Sequence, residues 1–139
     1  MSGDPVVSVI IPTIGTPSLG GTGRLVDDAV HSLMQHETEA TLELIVVTTG
    51  VIPDVPIDIH GRHSLRHVVY ETEAFNFSEA INTGRAAATG DHLLLLNDDT
   101  TVAQPNPVTR MLELAQIDGV GVVGCKLTGR LPEGTTATD

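Results

Sequence analysis

The sequence predicts an α/β protein with an open, mainly parallel sheet and helices on both of its faces. Three observations indicate this fold class. Segments with strand and helix character alternate along the chain, in the predicted order β-α-β-β-α-β-α-β. The apolar segments are continuous rather than alternating with polar residues, as in strands that are covered on both faces. The composition, with 40% hydrophobic and only 2% aromatic residues, predicts a core of aliphatic side chains.

The first three elements follow from hydrophobic spacing. Residues 6–11 are mostly β-branched and predict a strand that ends at Pro12. After a loop rich in Gly, Pro, Ser and Thr, apolar residues recur with the spacing of an amphipathic helix. The apolar face of that helix is formed by Leu25, Val26, Ala29, Val30, Leu33 and Met34. Residues 42–47 then predict the second strand.

The middle of the chain predicts two more strands and a helix between them. A short third strand is predicted over residues 66–70. Ser78 is predicted to cap the second helix, and Gly90 is placed to end it. The leucine-rich segment 92–96 predicts a fourth strand, which its four leucines would hold in the interior.

A third helix and a fifth strand complete the predicted fold. Asn106 and Pro107 have the residue types of an N-cap and a first helical position. Gly119 is expected to end the helix, and residues 120–123 predict the strand. Cys125, which follows that strand, is expected to be an inert, small apolar residue.

Length and charge limit the classes of function. We expect a single domain over residues 1–139, with an ordered core from about 6 to 128. Lys and Arg total 7 against 18 Asp and Glu, so 7 − 18 gives a net charge of −11. This charge repels phosphates, which argues against nucleic-acid binding and requires that an anionic ligand bring its own cation. No apolar segment approaches the roughly 20 residues of a membrane span. A single cysteine fits a reducing compartment, so we expect a cytoplasmic location.

Polar residues follow three of the predicted strands, where an open parallel sheet binds its ligands. They are Pro12-Thr13, Thr48-Thr49 and Asn97-Asp98-Asp99. Two adjacent carboxylates repel each other, and a divalent cation relieves this repulsion. Mg²⁺ and Mn²⁺ take oxygen ligands from one or two carboxylates and keep positions for water and phosphate. A turn in which Asp98 and Asp99 cap the next segment explains the spacing equally well.

Two further motifs give weaker signals. Residues 15–22 resemble a phosphate-binding loop in outline, but Gly21 stands where that motif needs a lysine. His60, His63 and His67 have spacings found among metal ligands, yet no cysteine lies near them. Surface histidines are therefore the preferred interpretation.

The start of the second predicted helix is also unusual. Phe75 and Phe77 precede a helix rich in small residues, among them Gly84, which allow close approach to a sheet. A packing helix with an aromatic contact explains the two phenylalanines. It gives no reason for Asn82.

Taken together, these residues resemble glycosyltransferase family 2, a family of inverting enzymes with the GT-A fold. Four blocks match in the family's order, at residues 7–13, 43–47, 75–91 and 94–100, and residues 119–127 resemble the strand that follows. The resemblance covers about residues 6–128. It implies a Rossmann-like sheet of the GT-A type, incomplete in this chain.

The resemblance implies a binding site for a nucleotide-diphospho-sugar, with a UDP- or dTDP-sugar the expected donor. A glycan or another hydroxyl compound would be the acceptor. Asp99 would hold Mg²⁺ or Mn²⁺ on the diphosphate, and Asn97 would face the ribose. The implied donor-binding residues are Pro12, Thr13, Thr48, Asn82, Gly84, Asn97 and Asp98.

The chain departs from the family's pattern in three ways. Thr48 stands where the family usually has an aspartate that reads the base, and Glu79 stands where a basic residue is common. The family's catalytic base and acceptor-binding elements come well after the aspartate pair, and no carboxylate suited to that role is visible here. We therefore expect a donor-binding portion that is truncated or depends on a missing partner. Its uncovered apolar surface predicts self-association.

Two other functions stay open. A noncatalytic nucleotide-sugar or metal-binding module derived from this fold is favoured by Thr48 and Glu79. A receiver-like signalling domain also binds Mg²⁺ on a doubly wound sheet, but it needs paired acids after the first strand. Pro12 and Thr13 stand there instead.

Overall fold

The computed structural model describes residues 5–18, 23–50, 59 and 61–129. Within these residues the chain forms β1 Val6–Thr13, α1 Leu25–His36, β2 Thr41–Thr48, β3 Ser64–Val69, α2 Phe77–Ala87, β4 His92–Leu95 and α3 Pro107–Ala115. The four described strands form one sheet in the order β3-β2-β1-β4, and every pair is parallel. The predicted open α/β fold is therefore confirmed.

The centre of the sheet is formed by β1 and β2. They pair along their whole length, from Val6 opposite Thr41 to Thr13 opposite Thr48. Their continuous apolar sequences are buried on both faces, as the pattern predicts.

Each face of the sheet has its own apolar core. On one face α1 and α3 cover the strands, and the buried cluster there consists of Val7, Val9, Ile11, Val26, Val30, Leu33, Ala40, Leu42, Leu44, Val46 and Val108. On the other face lies α2, with a smaller buried cluster of Ile10, Ile45, Val47 and Ala80.

The predicted limits of the second helix are wrong at both ends. Asn76, not Ser78, is the N-cap, and its side chain accepts a hydrogen bond of 3.1 Å from the Glu79 amide. Asn76 takes this place because its carboxamide reaches the amide three residues ahead, as an N-cap requires. The helix ends at Ala87, before Gly90. Gly90 instead lies against β1, where a Cβ atom would come within 2.5 Å of the Ser8 Oγ.

The fourth strand is less buried than the sequence predicts. Leu93 is 45% exposed and Leu95 is 52% exposed, so the expectation that all four leucines lie in the interior is wrong. In register these two residues lie beside Ser8 and Ile10, on the face that carries α2. Because α2 packs mainly on β1 and β2, this side of the edge strand is left uncovered.

The predicted fifth strand is absent from the described residues. Residues 120–129 have no regular structure, and Val122 is 91% exposed. Apolar character alone does not make a strand, because a strand also needs a neighbour for its backbone hydrogen bonds. Cys125, which follows these residues, is exposed, and its Sγ lies 3.0 Å from the Met111 Sδ.

A buried carboxylate joins α1 to α3. Glu37 is 1% exposed and accepts hydrogen bonds from the amides of Ala40, Glu39 and Thr109 and from the Thr109 hydroxyl. Burial by itself would raise the pKa of Glu37. The hydrogen bonds, the one from Ala40 first among them, favour the ionised form more strongly and hold the pKa below its ordinary value.

The start of α3 is only partly as predicted. Pro107 occupies the first turn, but Asn106 makes no side-chain cap and has a left-handed backbone, with φ of 51°. Its carboxamide oxygen instead accepts hydrogen bonds from the amide and hydroxyl of Thr38. None of the helices in the described part of the chain combines the length and apolar composition needed to cross a bilayer.

Candidate functional site

A cavity opens where the carboxyl ends of β1 and β4 meet. These strands are neighbours in the sheet, and the strand order reverses between them, because the chain that leaves β1 continues through α1 to β2 on the other side of β1. Ligands in open α/β sheets bind at such a point. The cavity has a volume of about 280 Å³ and is lined by Pro12, Thr13, Ile14, Thr16, Phe75, Phe77, Asn97, Asp98 and Asp99.

A tight turn presents the two carboxylates at the cavity. The Leu96 amide still bonds to the Ile10 carbonyl at 3.0 Å, so β1 holds the chain up to this point. The Thr100 amide then bonds back to the Asn97 carbonyl at 3.3 Å, and the Thr100 hydroxyl bonds to the same oxygen at 2.6 Å. Asp98 and Asp99 are the two central residues of this turn.

The two aspartates have different environments. Asp98 is half-buried, and its Oδ2 accepts a hydrogen bond of 2.8 Å from the Thr13 hydroxyl. Asp99 is exposed and lines the cavity, and its carboxylate makes no hydrogen bond or ion pair with the residues that the structure describes. If these side chains capped the next segment, their carboxylates would accept hydrogen bonds from its amides. Neither carboxylate makes such a bond within the described chain.

The wall of the cavity beside the turn is apolar. Phe75 is 40% exposed and Phe77 is 47% exposed, and both lie on the cavity together with Pro12 and Ile14. The packing interpretation of this segment does not account for such exposure. The aromatic residues were noticeable in the sequence, but Ile14 and Thr16 carry no signal that marks them as lining residues.

Thr48 does not line the cavity. Its side chain is fully buried, and its hydroxyl donates to the Gly50 carbonyl at 3.0 Å. The His67 Nε2 lies 2.8 Å from the same hydroxyl, and since the hydroxyl proton points to Gly50, this nitrogen is the donor. His63 is also bonded within the protein, where its Nδ1 accepts from the Leu42 amide at 3.0 Å. His60 lies outside the described residues.

Asn82 and Gly84 of α2 also lie away from the cavity lining. Asn82 is exposed on the helix. Gly84 is buried against the sheet, where a Cβ atom would stand 2.5 Å from the Ile10 Cγ2 and 3.0 Å from the Val47 Cγ2. In this structure Gly84 has the geometry of a packing residue.

The polar side of the cavity suits a hard cation. Asp98 and Asp99 supply carboxylate oxygens, and Asn97 lies next to them, which is the ligand chemistry of Mg²⁺ and Mn²⁺. Among the described residues no three His, Cys, Asp or Glu side chains converge on one point. A cation here would therefore keep positions for water or for ligand oxygens, as Mg²⁺ usually does.

Comparison with known proteins agrees with this architecture. The sequence pattern of Glycosyl transferase family 2 matches residues 8–138. The chain therefore belongs to glycosyl transferase family 2, and the resemblance seen in its motifs is confirmed.

Two relatives also match over most of the chain. It is 33% identical over 131 residues to the uncharacterized protein y4gI of Sinorhizobium fredii (strain NBRC 101917 / NGR234), a match that covers 91% of this chain and 14% of that protein. It is 32% identical over 135 residues to the O-antigen biosynthesis protein RfbC of Myxococcus xanthus, a match that covers 96% of this chain and 10% of that protein. The chain thus spans a small part of the length of these relatives.

Proposed function

We propose that this domain binds a nucleotide-diphospho-sugar through Mg²⁺ or Mn²⁺ at Asp99, for inverting transfer of the sugar to an acceptor hydroxyl. The observation that carries the proposal is the exposed Asp99 carboxylate at the cavity, which has no partner within the described chain. UDP- and dTDP-sugars are the proposed donors, and a glycan is the proposed acceptor. The similarity to an O-antigen biosynthesis protein supports a glycan.

The net charge supports a metal bridge. A chain of charge −11 repels a diphosphate, and no basic residue lines the cavity within the described chain. A divalent cation held by Asp99, with Asp98 beside it, would supply the missing positive charge. When bound, it would stabilise the negative charge that develops on the departing nucleoside diphosphate.

The two walls of the cavity match the two parts of a nucleotide. The polar wall suits the diphosphate and its cation. The apolar wall of Phe75 and Phe77 suits a base, whose flat face stacks on aromatic side chains while its polar edges stay at the rim. A sugar fits this wall less well, because its hydroxyl groups would meet no hydrogen-bonding partner there.

The reaction also needs a base that takes the proton of the acceptor hydroxyl. Asp98 and Asp99 are the carboxylates that line the cavity among the described residues, and both are assigned to the cation. We therefore propose no catalytic base within this part of the chain.

Calorimetric titration with UDP tests the proposal. We expect heat of binding with Mn²⁺ present, none in EDTA, and none for Asp99→Ala with Mn²⁺. Asp118→Ala is the matched control, because Asp118 is an exposed aspartate outside the cavity. Equal binding of UDP in Mn²⁺ and in EDTA would contradict the metal bridge.

A noncatalytic binding module is the second candidate. Thr48 favours it, because the side chain at the family's base-reading position is fully buried and its hydroxyl is already bonded. An assay of UDP release from UDP-sugars separates the two candidates. Release that depends on an added hydroxyl acceptor supports transfer and contradicts the noncatalytic module.

A further inference from the structure

Thr13 has an unusual place among the residues that line the cavity. Its side chain is only 1% exposed, although it stands at the carboxyl end of β1. Its hydroxyl has one proton, which it donates to the Asp98 Oδ2 at 2.8 Å. The Thr13 Oγ1 also accepts a hydrogen bond of 3.1 Å from the Gly15 amide. The hydroxyl proton is therefore already in use and is not available to a ligand.

We propose that Thr13 is a positioning residue, whose hydroxyl holds Asp98 so that the aspartate pair presents its oxygens to a divalent cation. This inference rests on the proposed metal-dependent binding of a diphosphate. It gives Thr13 a different role from the one that the family resemblance implies, which is direct binding of the donor.

The need for such a residue follows from the turn. Asp98 is at the tip of a turn and lies beside a second carboxylate, so its side chain would turn away from Asp99 if nothing held it. The Thr13 hydroxyl reduces the charge on one oxygen of Asp98 and fixes the direction of the other. A group already held in its bound orientation loses less conformational freedom when the ligand arrives.

Thr13 can do this because its pairing with β2 and the turn that follows hold it in place. It lies opposite Thr48 in the β1–β2 register, within the buried centre of the sheet. The Gly15 amide reaches its hydroxyl through a tight turn, in which Gly15 has a φ of +79° that suits glycine.

The test compares four proteins by calorimetric titration with UDP in the presence of Mn²⁺. They are the unmodified chain, Thr13→Val, Thr13→Ser and Thr109→Val. Thr109 is the matched control, because its hydroxyl also donates to a carboxylate, that of Glu37 at 2.7 Å, and it does not line the cavity. Thermal unfolding of each variant measures the structural cost separately.

We expect Thr13→Val to weaken binding by about three- to tenfold, in line with the cost of ordering one side chain. Thr13→Ser should restore most of the affinity, because it keeps the hydroxyl. Thr109→Val should lower the unfolding temperature and leave the affinity unchanged.

Three results would overturn the inference. They are unchanged affinity in Thr13→Val, an equal loss in Thr13→Ser, and an equal loss in Thr109→Val. Failure of the proposed function looks different, because the unmodified chain would then bind no UDP with Mn²⁺, and the inference would fall with it.

Discussion

The close approach of α2 to the sheet predicts a marked loss of stability in Gly84→Ala. The added Cβ atom would stand 2.5 Å from the Ile10 Cγ2 and 3.0 Å from the Val47 Cγ2. Carbon atoms in contact prefer a separation of roughly 3.5–4.0 Å, so the helix must move away from β1 by about 1 Å. Both neighbours are fully buried and have no open space to enter.

The size of the effect is the difference between two opposing contributions. Overpacking of a buried contact costs about 1–3 kcal/mol. Alanine is the better helix former and returns up to about 1 kcal/mol. Because a contact of 2.5 Å places the overpacking cost in the upper part of its range, about 2–3 kcal/mol, we expect a net loss of about 1–2 kcal/mol. This loss lowers the unfolding temperature of a chain of this size by roughly 3–10 °C.

Thermal unfolding followed by circular dichroism at 222 nm measures this loss. Gly121→Ala is the control, because Gly121 has no atom within 4 Å of the added carbon and no positive φ. In the background of Ile10→Ala, which removes the nearer of the two obstructing methyl groups, Gly84→Ala should cost less stability than it does in the unmodified chain.

The outcome also separates two roles of Gly84. An unchanged unfolding temperature would contradict the packing argument. An unchanged temperature together with lost UDP binding would assign Gly84 to the ligand, as the family resemblance implies.

Two further predictions concern Glu37 and the aromatic wall. Because the pKa of Glu37 is lowered on folding, its contribution to stability is complete above the ordinary value of 4.5 and disappears as the pH falls through the folded value. Glu37→Gln should therefore destabilise the fold by about 2 kcal/mol at pH 7 and by less in acid. Urea unfolding of both proteins at both pH values measures this, with Glu113→Gln as the exposed control. A loss of unfolding free energy that is the same at both pH values would contradict the argument. Phe75→Ala and Phe77→Ala should each weaken Mn²⁺-dependent UDP binding about fivefold or more and leave the binding of pyrophosphate unchanged. Leu114→Ala, at an exposed residue outside the cavity, is the control. Equal losses for UDP and pyrophosphate, or weaker UDP binding in Leu114→Ala, would contradict base stacking.

Elements that depend on the local spacing of apolar residues could be predicted from the sequence. Features that depend on which elements are neighbours in the folded structure could not. The twelve residues of α1 follow directly from the helical spacing of its apolar residues. The exposure of Leu93 and Leu95 depends on where β4 lies in the sheet and how far α2 reaches, which four leucines in a row do not encode. Likewise, residues 120–123 have strand-like composition but no paired neighbour in the described structure.

The same distinction applies to the candidate site. Asp99 and Asp98 could be located from the sequence, because a leucine-rich strand that ends in carboxylates places them at a sheet edge. The burial of Thr48 and the bond that His67 makes to it were hidden, since both depend on the β2–β3 register. The single domain, the cytoplasmic location, self-association and the roles of the individual site residues stay predictions.

The site and the fold depend on the same pairing of strands. Thr13 and Asp98 are 85 positions apart in the chain, and they meet because β4 returns to pair with β1 on the side opposite β2. The carboxylates therefore acquire their arrangement only when this pairing has formed. A cation that binds them in the folded state also stabilises the β1–β4 pairing, because any ligand that binds the folded chain alone shifts the equilibrium towards it. If the proposed function holds, Mn²⁺ with UDP should slow amide hydrogen exchange in the edge strand β4 more than in β3, which lies on the far side of β2.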